Sequence, residues 1–191
     1  AIEFAGPAVE SLTVEARLTL CNMAVEFSAF TGIIAPDDKV FEYLKGRPYA
    51  PSGESWQQAK EYWGTLSTDD GAHFDQEIVI DCATISPTVT WGTSPQEAIS
   101  IDGQVPSLVP ENGDARRSME QSLAYMGLKS GQSIQGLPIQ VAFIGSCTNS
   151  RLSDLRIAAA ILKGRKVASG VRAICVPGST QVKQAAEREG L

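Results

Sequence analysis

Residues 139–151 read Ile-Gln-Val-Ala-Phe-Ile-Gly-Ser-Cys-Thr-Asn-Ser-Arg, and this stretch decides the fold. Its first six residues are mostly apolar and typical of a buried strand, and a helical pattern begins directly after the small polar residues. Cys147 is therefore predicted at the carboxyl end of a strand, in a loop that leads into a helix. Open α/β sheets bind their ligands at that position, and a helix N-terminus favours the thiolate form of cysteine.

The same order of elements is predicted a second time downstream. Residues 171–176 have the pattern of a strand, and Pro177-Gly178-Ser179 opens another helix. Strand, loop and helix in that order, twice, predict an α/β fold with a mostly parallel, doubly wound sheet. The two loops are expected side by side at one edge of that sheet. Ser179 or Thr180 can cap the second helix, and such a helix end can also bind an anion.

Composition excludes several classes of function. The 191 residues carry 16 basic and 22 acidic side chains, a net charge of −6, which argues against a general nucleic-acid or anionic-membrane binder. No apolar run in the sequence approaches the roughly 20 residues that span a bilayer. The four cysteines form no Cys-x-x-Cys pair and there is one histidine. We therefore expect a cytoplasmic protein without a self-contained zinc site.

The remainder of the chain predicts further helices and strands. Apolar residues recur at three- and four-residue steps over residues 11–31, which predicts one long helix with a buried face. Strands are predicted at 33–35 and 75–83, and helices at 36–46, 56–63 and 114–128. Residues 84–113 hold most of the remaining prolines and are predicted to cross between two lobes.

Cys147 is the first candidate site residue. Gly145 and four small polar neighbours favour a metal ligand or a nucleophile, whereas a small buried cysteine at a strand end is also common. Nucleophilic catalysis needs an oriented base, and the only histidine, His73, lies in a predicted turn. A metal role is therefore preferred, although one thiolate cannot hold a metal by itself. The other cysteines are expected to pack in the core: Cys21, Cys82 and Cys175.

Asn22 and Glu26 form the second candidate. They lie four residues apart, on one face of the predicted helix, within the otherwise apolar stretch 20–30. A carboxylate in that position is either solvent-facing or a buried acid whose pKa is tuned by a partner. The residues alone favour the solvent-facing interpretation.

A resemblance to a known family changes the weight of these candidates. Gly145-Ser146-Cys147-Thr148-Asn149-Ser150 resembles the first iron–sulfur signature of the aconitase superfamily. Three further segments are similar to the large subunits of the 3-isopropylmalate dehydratase branch: residues 20–26 (LCNMAVE), 32–37 (GIIAPD) with 43–49 (YLKGRPY), and 89–95 (VTWGTSP). The similarity runs nearly end to end.

The resemblance implies an activity and roles for three residues. Enzymes of that branch interconvert 2-isopropylmalate and 3-isopropylmalate by dehydration and rehydration in leucine biosynthesis. A [4Fe-4S] cluster held by three cysteines leaves one iron open, which acts as a Lewis acid on the substrate hydroxyl and carboxylate. By this resemblance Cys147 is the first cluster ligand, Asn22 hydrogen-bonds near the cluster, and Glu26 is an acid beside the substrate hydroxyl.

The resemblance also implies a fold and a partner. The fold is three similar three-layer α/β/α subdomains, and a separate small subunit supplies the swivelling domain and the catalytic serine. Residues 1–100 are assigned to part of the second subdomain, 101–137 to a crossover linker, and 138–191 to the start of the third. The family's other two cluster ligands form a Cys-x-x-Cys, which this chain lacks. The chain is therefore expected to be an internal fragment that is inactive alone and binds no intact cluster.

Three alternatives remain open at this point. Homoaconitase and aconitase share the cysteine loop. A binding or scaffold module would have the same loop without its metal. A thiol enzyme would use Cys147 as its nucleophile and would need a depressed thiol pKa.

Overall fold

The protein is described here by a computed structural model that covers residues 1–107 and 113–191. The helices are α1 (Pro7–Ser11), α2 (Val14–Met23), α3 (Asp38–Leu44), α4 (Glu54–Trp63), α5 (Gly113–Met126), α6 (Leu152–Leu162) and α7 (Thr180–Glu189). The strands are β1 (Ile2–Glu3), β2 (Gly32–Ile33), β3 (Thr88–Thr90), β4 (Ala98–Ser100), β5 (Val141–Ile144) and β6 (Arg172–Cys175). Two 3₁₀ helices span Ala24–Phe27 and Cys82–Thr84. Within the covered ranges, no helix has the length and apolar character needed to cross a membrane.

The chain forms two compact units. The first comprises Ala1–Ile78, Phe143–Ser169 and Ala173–Leu191, and the second comprises Val79–Ala142 and Gly170–Arg172. The candidate residues Asn22, Glu26 and Cys147 all belong to the first unit. The assignment of residue ranges to aconitase-type subdomains stays a prediction.

Parallel strand pairs confirm the predicted α/β class. Strand β1 pairs with β2 in parallel, and β5 pairs with β6. The backbone N–H of Arg172 donates to Gln140, and that of Val176 donates to Ile144, both at 2.8 Å. Because the two bonds have the same sequence offset, β5 and β6 also run parallel. The predicted order of strand, loop and helix is thus found twice, as β5–α6 and β6–α7.

The long helix predicted over residues 11–31 is wrong in extent. Helix α2 ends at Met23 and continues as a 3₁₀ turn, after which Ser28 adopts a left-handed backbone with φ of 62°. Phe27 and Phe30, which supported the predicted apolar face, are 72% and 96% exposed. The buried residue of α2 is instead Arg17. The apolar spacing therefore did not mark a buried face.

Two contacts hold α2 in place. Arg17 donates from Nη2 to Asp37 Oδ2 at 2.6 Å, and this hydrogen bond keeps the pKa of the Asp37 carboxyl below its usual value, against an opposing effect of burial. Four residues along the same face, at Cys21, α2 packs closely on β2. A Cβ at Gly32 would lie 2.7 Å from the Cys21 Cα, so only glycine allows this approach without displacement.

The predicted strand at residues 75–83 is also wrong. The apolar side chains of Ile78, Val79 and Ile80 are 65–98% exposed, and no described strand pairs with the segment. An isolated strand lacks the hydrogen-bond ladder that stabilises it, so local β propensity did not suffice. Within the predicted crossover at 84–113, of which 108–112 lie outside the described residues, β3 and β4 form an antiparallel hairpin.

The second unit has a small core of its own. Val105, which is 1% exposed, packs with Trp91, Met119 and Leu123, and Ile99 is partly buried against them. The hairpin and α5 thereby share one hydrophobic cluster, whose burial is the main stabilising term for such a small unit.

Candidate functional site

Cys147 lies in a loop between β5 and α6 that is organised by Ser146. The Ser146 Oγ accepts hydrogen bonds from the backbone N–H groups of Thr148 (3.1 Å) and Asn149 (3.3 Å). The serine turn satisfies two amides of the loop. The Cys147 thiol is exposed, and its polar contact is the Thr148 hydroxyl at 3.9 Å. The sulfur is therefore accessible to a ligand.

Gly145 sets the path of the chain into this loop. A Cβ on Gly145 would lie 2.7 Å from the Phe143 ring and 3.2 Å from Val176 Cβ. Carbon atoms do not approach so closely without displacement of one of them. A side chain at this position would move either the ring or the loop, and so would shift Cys147.

Asn22 on α2 binds the residue that follows Cys147. Its Oδ1 accepts a hydrogen bond from the Thr148 hydroxyl at 2.9 Å. Two of the three residues named by the sequence are thus in the same neighbourhood, with Thr148 between them. Their roles toward a cluster remain predictions.

Glu26 is not brought into this hydrogen-bond network. It lies on the 3₁₀ helix Ala24–Phe27, where its side chain is exposed. Among the described residues, none forms a hydrogen bond or ion pair with its carboxylate. The carboxylate is therefore free to contact solvent or a bound molecule.

Sequence reasoning missed a second link between α2 and the loop. The Asn149 Oδ1 accepts from the Thr19 hydroxyl at 2.7 Å and from Arg151 Nη1 at 2.8 Å. Arg151 is the N-cap residue of α6. Its own side chain provides no cap, and Asp154 Oδ2 accepts from its backbone N–H instead. A cation at the positive end of a helix dipole costs about 0.3–1 kcal/mol. This local misfit, together with the helical spacing of Glu15, Thr19 and Asn22, was the signal that could have found the link.

The loop also contacts the loop that follows β6. The Gly178 N–H donates to the Ser150 carbonyl at 2.9 Å, and Ser150 is 4% exposed with a left-handed φ of 65°. A Cβ on Gly178 would lie 3.1 Å from the Ser150 carbonyl oxygen. Ser179 caps α7 through Val182 N–H at 3.1 Å, which confirms the predicted capping role. The expected proximity of the two loops is confirmed as well.

The four thiols differ in burial. Cys21 is half-buried, and burial raises the pKa of its thiol. Cys82 and Cys175 are exposed, so the prediction that they pack in the core is wrong. Cys82 lies on the segment that forms no strand, and Cys175 ends a strand whose side chains are mostly exposed.

The donor set at Cys147 fits one ligand of a cluster. Thiolates are the ligands of [4Fe-4S] clusters, and an exposed thiol on an ordered turn suits that role. In the described ranges, no group of three or more histidine, cysteine or carboxylate side chains could hold a metal ion. Among the described residues, Cys147 remains a candidate for one such ligand. No base among the described residues bonds to the thiol, which weakens the alternative of a nucleophilic cysteine.

Comparisons with known proteins agree over the whole chain. Residues 1–191 match the family model described as Aconitase family (aconitate hydratase). The chain is 60% identical over 190 residues to the 3-isopropylmalate dehydratase large subunit of Cupriavidus necator, across 99% of this chain and 71% of that protein. It is 53% identical over 191 residues to the 3-isopropylmalate dehydratase large subunit of Synechococcus sp. (strain RCC307), across 100% of this chain and 41% of that protein.

Proposed function

We propose a function from the premise that the chain belongs to the aconitase family: it forms part of the large subunit of a hydro-lyase that interconverts 2-isopropylmalate and 3-isopropylmalate in leucine biosynthesis. The observation that carries the proposal is the exposed Cys147 thiol, displayed on an ordered turn and flanked by a residue that Asn22 binds. The names of the two relatives support the choice of substrate.

The reaction is a redox-neutral isomerisation. The substrate loses a hydroxyl from one carbon and a proton from its neighbour, and a water is then added across the double bond with the opposite orientation. The family implies a [4Fe-4S] cluster, which when bound supplies a Lewis acid for the substrate hydroxyl and carboxylate. This chain contributes ligands, orientation and proton transfer around that group.

We assign one role to each of the three site residues. Cys147 serves as one of three thiolate ligands. Asn22 holds Thr148, and through it keeps the ligand in position. Glu26 serves as an acid beside the departing hydroxyl, a role supported by its exposed carboxylate one helical turn beyond Asn22.

A partner and a location follow from the same premise. Both relatives are named as large subunits, which supports a small subunit as the partner of this chain. The substrate is a small dicarboxylate. The cytoplasm is proposed as the compartment because a biosynthetic hydro-lyase with free thiols suits a reducing environment.

Substrate assays test the proposal directly. The large subunit that contains this chain is reconstituted anaerobically with iron and sulfide and combined with its small subunit. We expect turnover of 3-isopropylmalate and little or no turnover of citrate. A preference for citrate would instead assign the chain to the aconitate hydratases, the alternative that the name of the family model favours.

The number of ligands gives a second test. Because the covered part of the chain supplies one ligand thiol at the site, the 191-residue chain alone is expected to form no stable cluster. The measurement is the visible absorption band after anaerobic reconstitution. A stable, stoichiometric [4Fe-4S] band from this chain alone would contradict the proposed ligand set.

A further inference from the structure

Arg151 occupies a helix position that disfavours a positive charge. It is the N-cap residue of α6, and the positive end of the helix dipole repels a guanidinium. Its backbone N–H donates to Asp154 Oδ2 at 2.9 Å, but a residue of any type could make that bond. What arginine adds at this position must therefore come from its side chain.

The guanidinium binds the cysteine loop and α2 through one nitrogen. Nη1 lies 2.8 Å from Asn149 Oδ1, 3.2 Å from Thr19 Oγ1 and 3.3 Å from the Glu15 carbonyl oxygen. Because Nη1 carries two hydrogens, the two longer contacts share one of them. Arginine can only donate, so the Asn149 atom that faces it is the oxygen. The charge of the guanidinium strengthens each of these bonds.

The acceptors on α2 form one polar face. Glu15, Thr19 and Asn22 are spaced by four and three residues, which places them on the same side of the helix. Thr19 donates to Asn149, and Asn22 accepts from Thr148, so two consecutive loop residues are tied to that face. All of these residues lie in the first compact unit.

We propose that Arg151 is the positioning residue of the Cys147 loop. Its guanidinium holds Asn149 against Thr19 and thereby fixes the backbone that carries the thiol. For the identity of the bound group, the inference rests on the proposed function. A thiolate held in one position binds its metal without first ordering the loop, so the clamp favours retention of the cluster.

Hydrogen exchange of the full 191-residue chain tests the clamp without any cluster. Loss of one charge-assisted hydrogen bond corresponds to about 10- to 100-fold in a local opening equilibrium. We therefore expect the Thr148 and Asn149 amides to exchange faster by that factor in Arg151→Ala. Arg151→Lys should restore most of the protection, since an ammonium is charged, has three donors and can replace the shortest of these bonds, the one to Asn149 Oδ1. Unchanged exchange in Arg151→Ala would overturn the proposal.

Arg156→Ala is the matched control. Arg156 lies on the same helix and forms two hydrogen bonds with Glu189, at 2.8 and 2.7 Å, rather than with the cysteine loop. We expect this variant to leave exchange at residues 146–150 unchanged. An equal rise in both variants would mean that the loop responds to general destabilisation of α6, and would also overturn the proposal.

Cluster retention in the reconstituted large subunit tests the consequence. We expect Arg151→Ala to lose iron to a chelator about 10- to 100-fold faster, with a broadened electron paramagnetic resonance signal after one-electron reduction, and Arg151→Lys to lie near the parent protein. If amide exchange is faster in Arg151→Ala but the reconstituted parent protein binds no cluster, the clamp stands and the proposed function is refuted. An unchanged release rate with faster amide exchange would refute the link between clamp and ligand.

Thr19→Val is a second variant for the case that Arg151→Ala does not fold. It removes the hydroxyl that donates to Asn149 and keeps the side-chain shape. We expect faster exchange of the same two amides. Unchanged exchange of both amides in Thr19→Val would contradict the clamp.

Discussion

The two strand–loop–helix segments of this chain have the same order of elements but opposite chemistry at the helix N-terminus. At α7, Ser179 occupies the N-cap and its hydroxyl accepts from Val182 N–H. At α6, Arg151 occupies the N-cap, provides no side-chain cap, and reaches to α2 instead. The segment that follows the local rules of helix capping contains no candidate site residue, and the segment that breaks them carries Cys147.

The difference between the N-caps of α6 and α7 indicates which of the two similar segments carries the functional site. Local preferences that agree with the fold are explained by stability alone. A residue that violates them needs another explanation, and such violations concentrate at functional sites. In this chain the reason is a set of hydrogen bonds between the Asn149 side chain and α2.

The largest difference between the two segments is expected when the cysteine of each is replaced by serine. Cys147 follows β5, Cys175 ends β6, and both are exposed. In the reconstituted large subunit, Cys147→Ser is expected to lower cluster affinity by about 100-fold or more, beyond the effect of losing an outer-shell partner. Cys175→Ser is the control and should retain the cluster. Equal iron content in the two variants would contradict the assignment of Cys147 as a ligand.

The next largest effect concerns α2, the helix that the cysteine loop contacts. Asp37→Asn keeps a capping side chain on α3 but removes the charge that pairs with the buried Arg17. We expect a loss of about 2 kcal/mol in the free energy of unfolding at neutral pH, below the value for a fully buried pair because Asp37 is partly exposed. Denaturant titration measures it.

The pH dependence of this effect has a definite sign. The pKa of Asp37 is lowered in the folded protein, mainly by the hydrogen bond from Arg17. Its stabilising contribution is therefore present above the usual carboxyl pKa of about 4 and is lost as the pH falls through the lower folded value. The difference between the parent and Asp37→Asn should shrink over that range. Asp38→Asn, which removes only an exposed pair with Lys60, is the control and should differ little at any pH.

A smaller effect is expected where the two loops meet. Gly178→Ala places a Cβ about 3.1 Å from the Ser150 carbonyl oxygen, so the backbone at 149–150 must shift. We expect destabilisation of about 1–2 kcal/mol together with faster amide exchange at Thr148. Gly64→Ala is the matched control, since the Cβ there would meet its neighbours at ordinary distances of 3.4 and 3.5 Å. A Gly178→Ala variant with parent stability and exchange would contradict the close contact.

The smallest effect should stay within the second loop. Ser179→Ala removes the hydroxyl cap of α7 and is expected to cost about 1 kcal/mol. Thermal unfolding measures this cost. Because the cap is local, amide exchange at residues 146–150 should remain that of the parent. Altered exchange at residues 146–150 would mean that the α7 cap also stabilises the cysteine loop.

The C-terminal elements were predictable because their signals are local. Helix α6 was predicted to follow the small polar residues of the cysteine loop and begins at Leu152, and α7 begins directly after the predicted cap at Ser179. Gly164 and Pro177 mark the ends of the intervening elements, and such signals depend on backbone geometry alone. The cysteine loop and its proximity to the Pro177 loop followed from the same reasoning.

The N-terminal helix, the strand at 75–83 and Arg151 were not predictable in the same way. The apolar residues Phe27 and Phe30 have helical spacing but lie at the surface, because periodicity does not say what packs against a face. A strand depends on a partner that the local sequence does not name. The contacts of Arg151 join α2 to α6 across more than a hundred residues, so pattern within one element could not reveal them.

The polar face of α2 makes the length of that helix part of the site. Each residue added to or removed from an α-helix turns everything beyond it by about 100°. A single deletion between Thr19 and Asn22 would leave composition and apolar content almost unchanged, yet it would direct the Thr19 and Asn22 contacts away from each other. Substitutions along α2 should therefore be tolerated far more often than insertions or deletions. The spacing of residues along the helix sets where the cysteine loop is held.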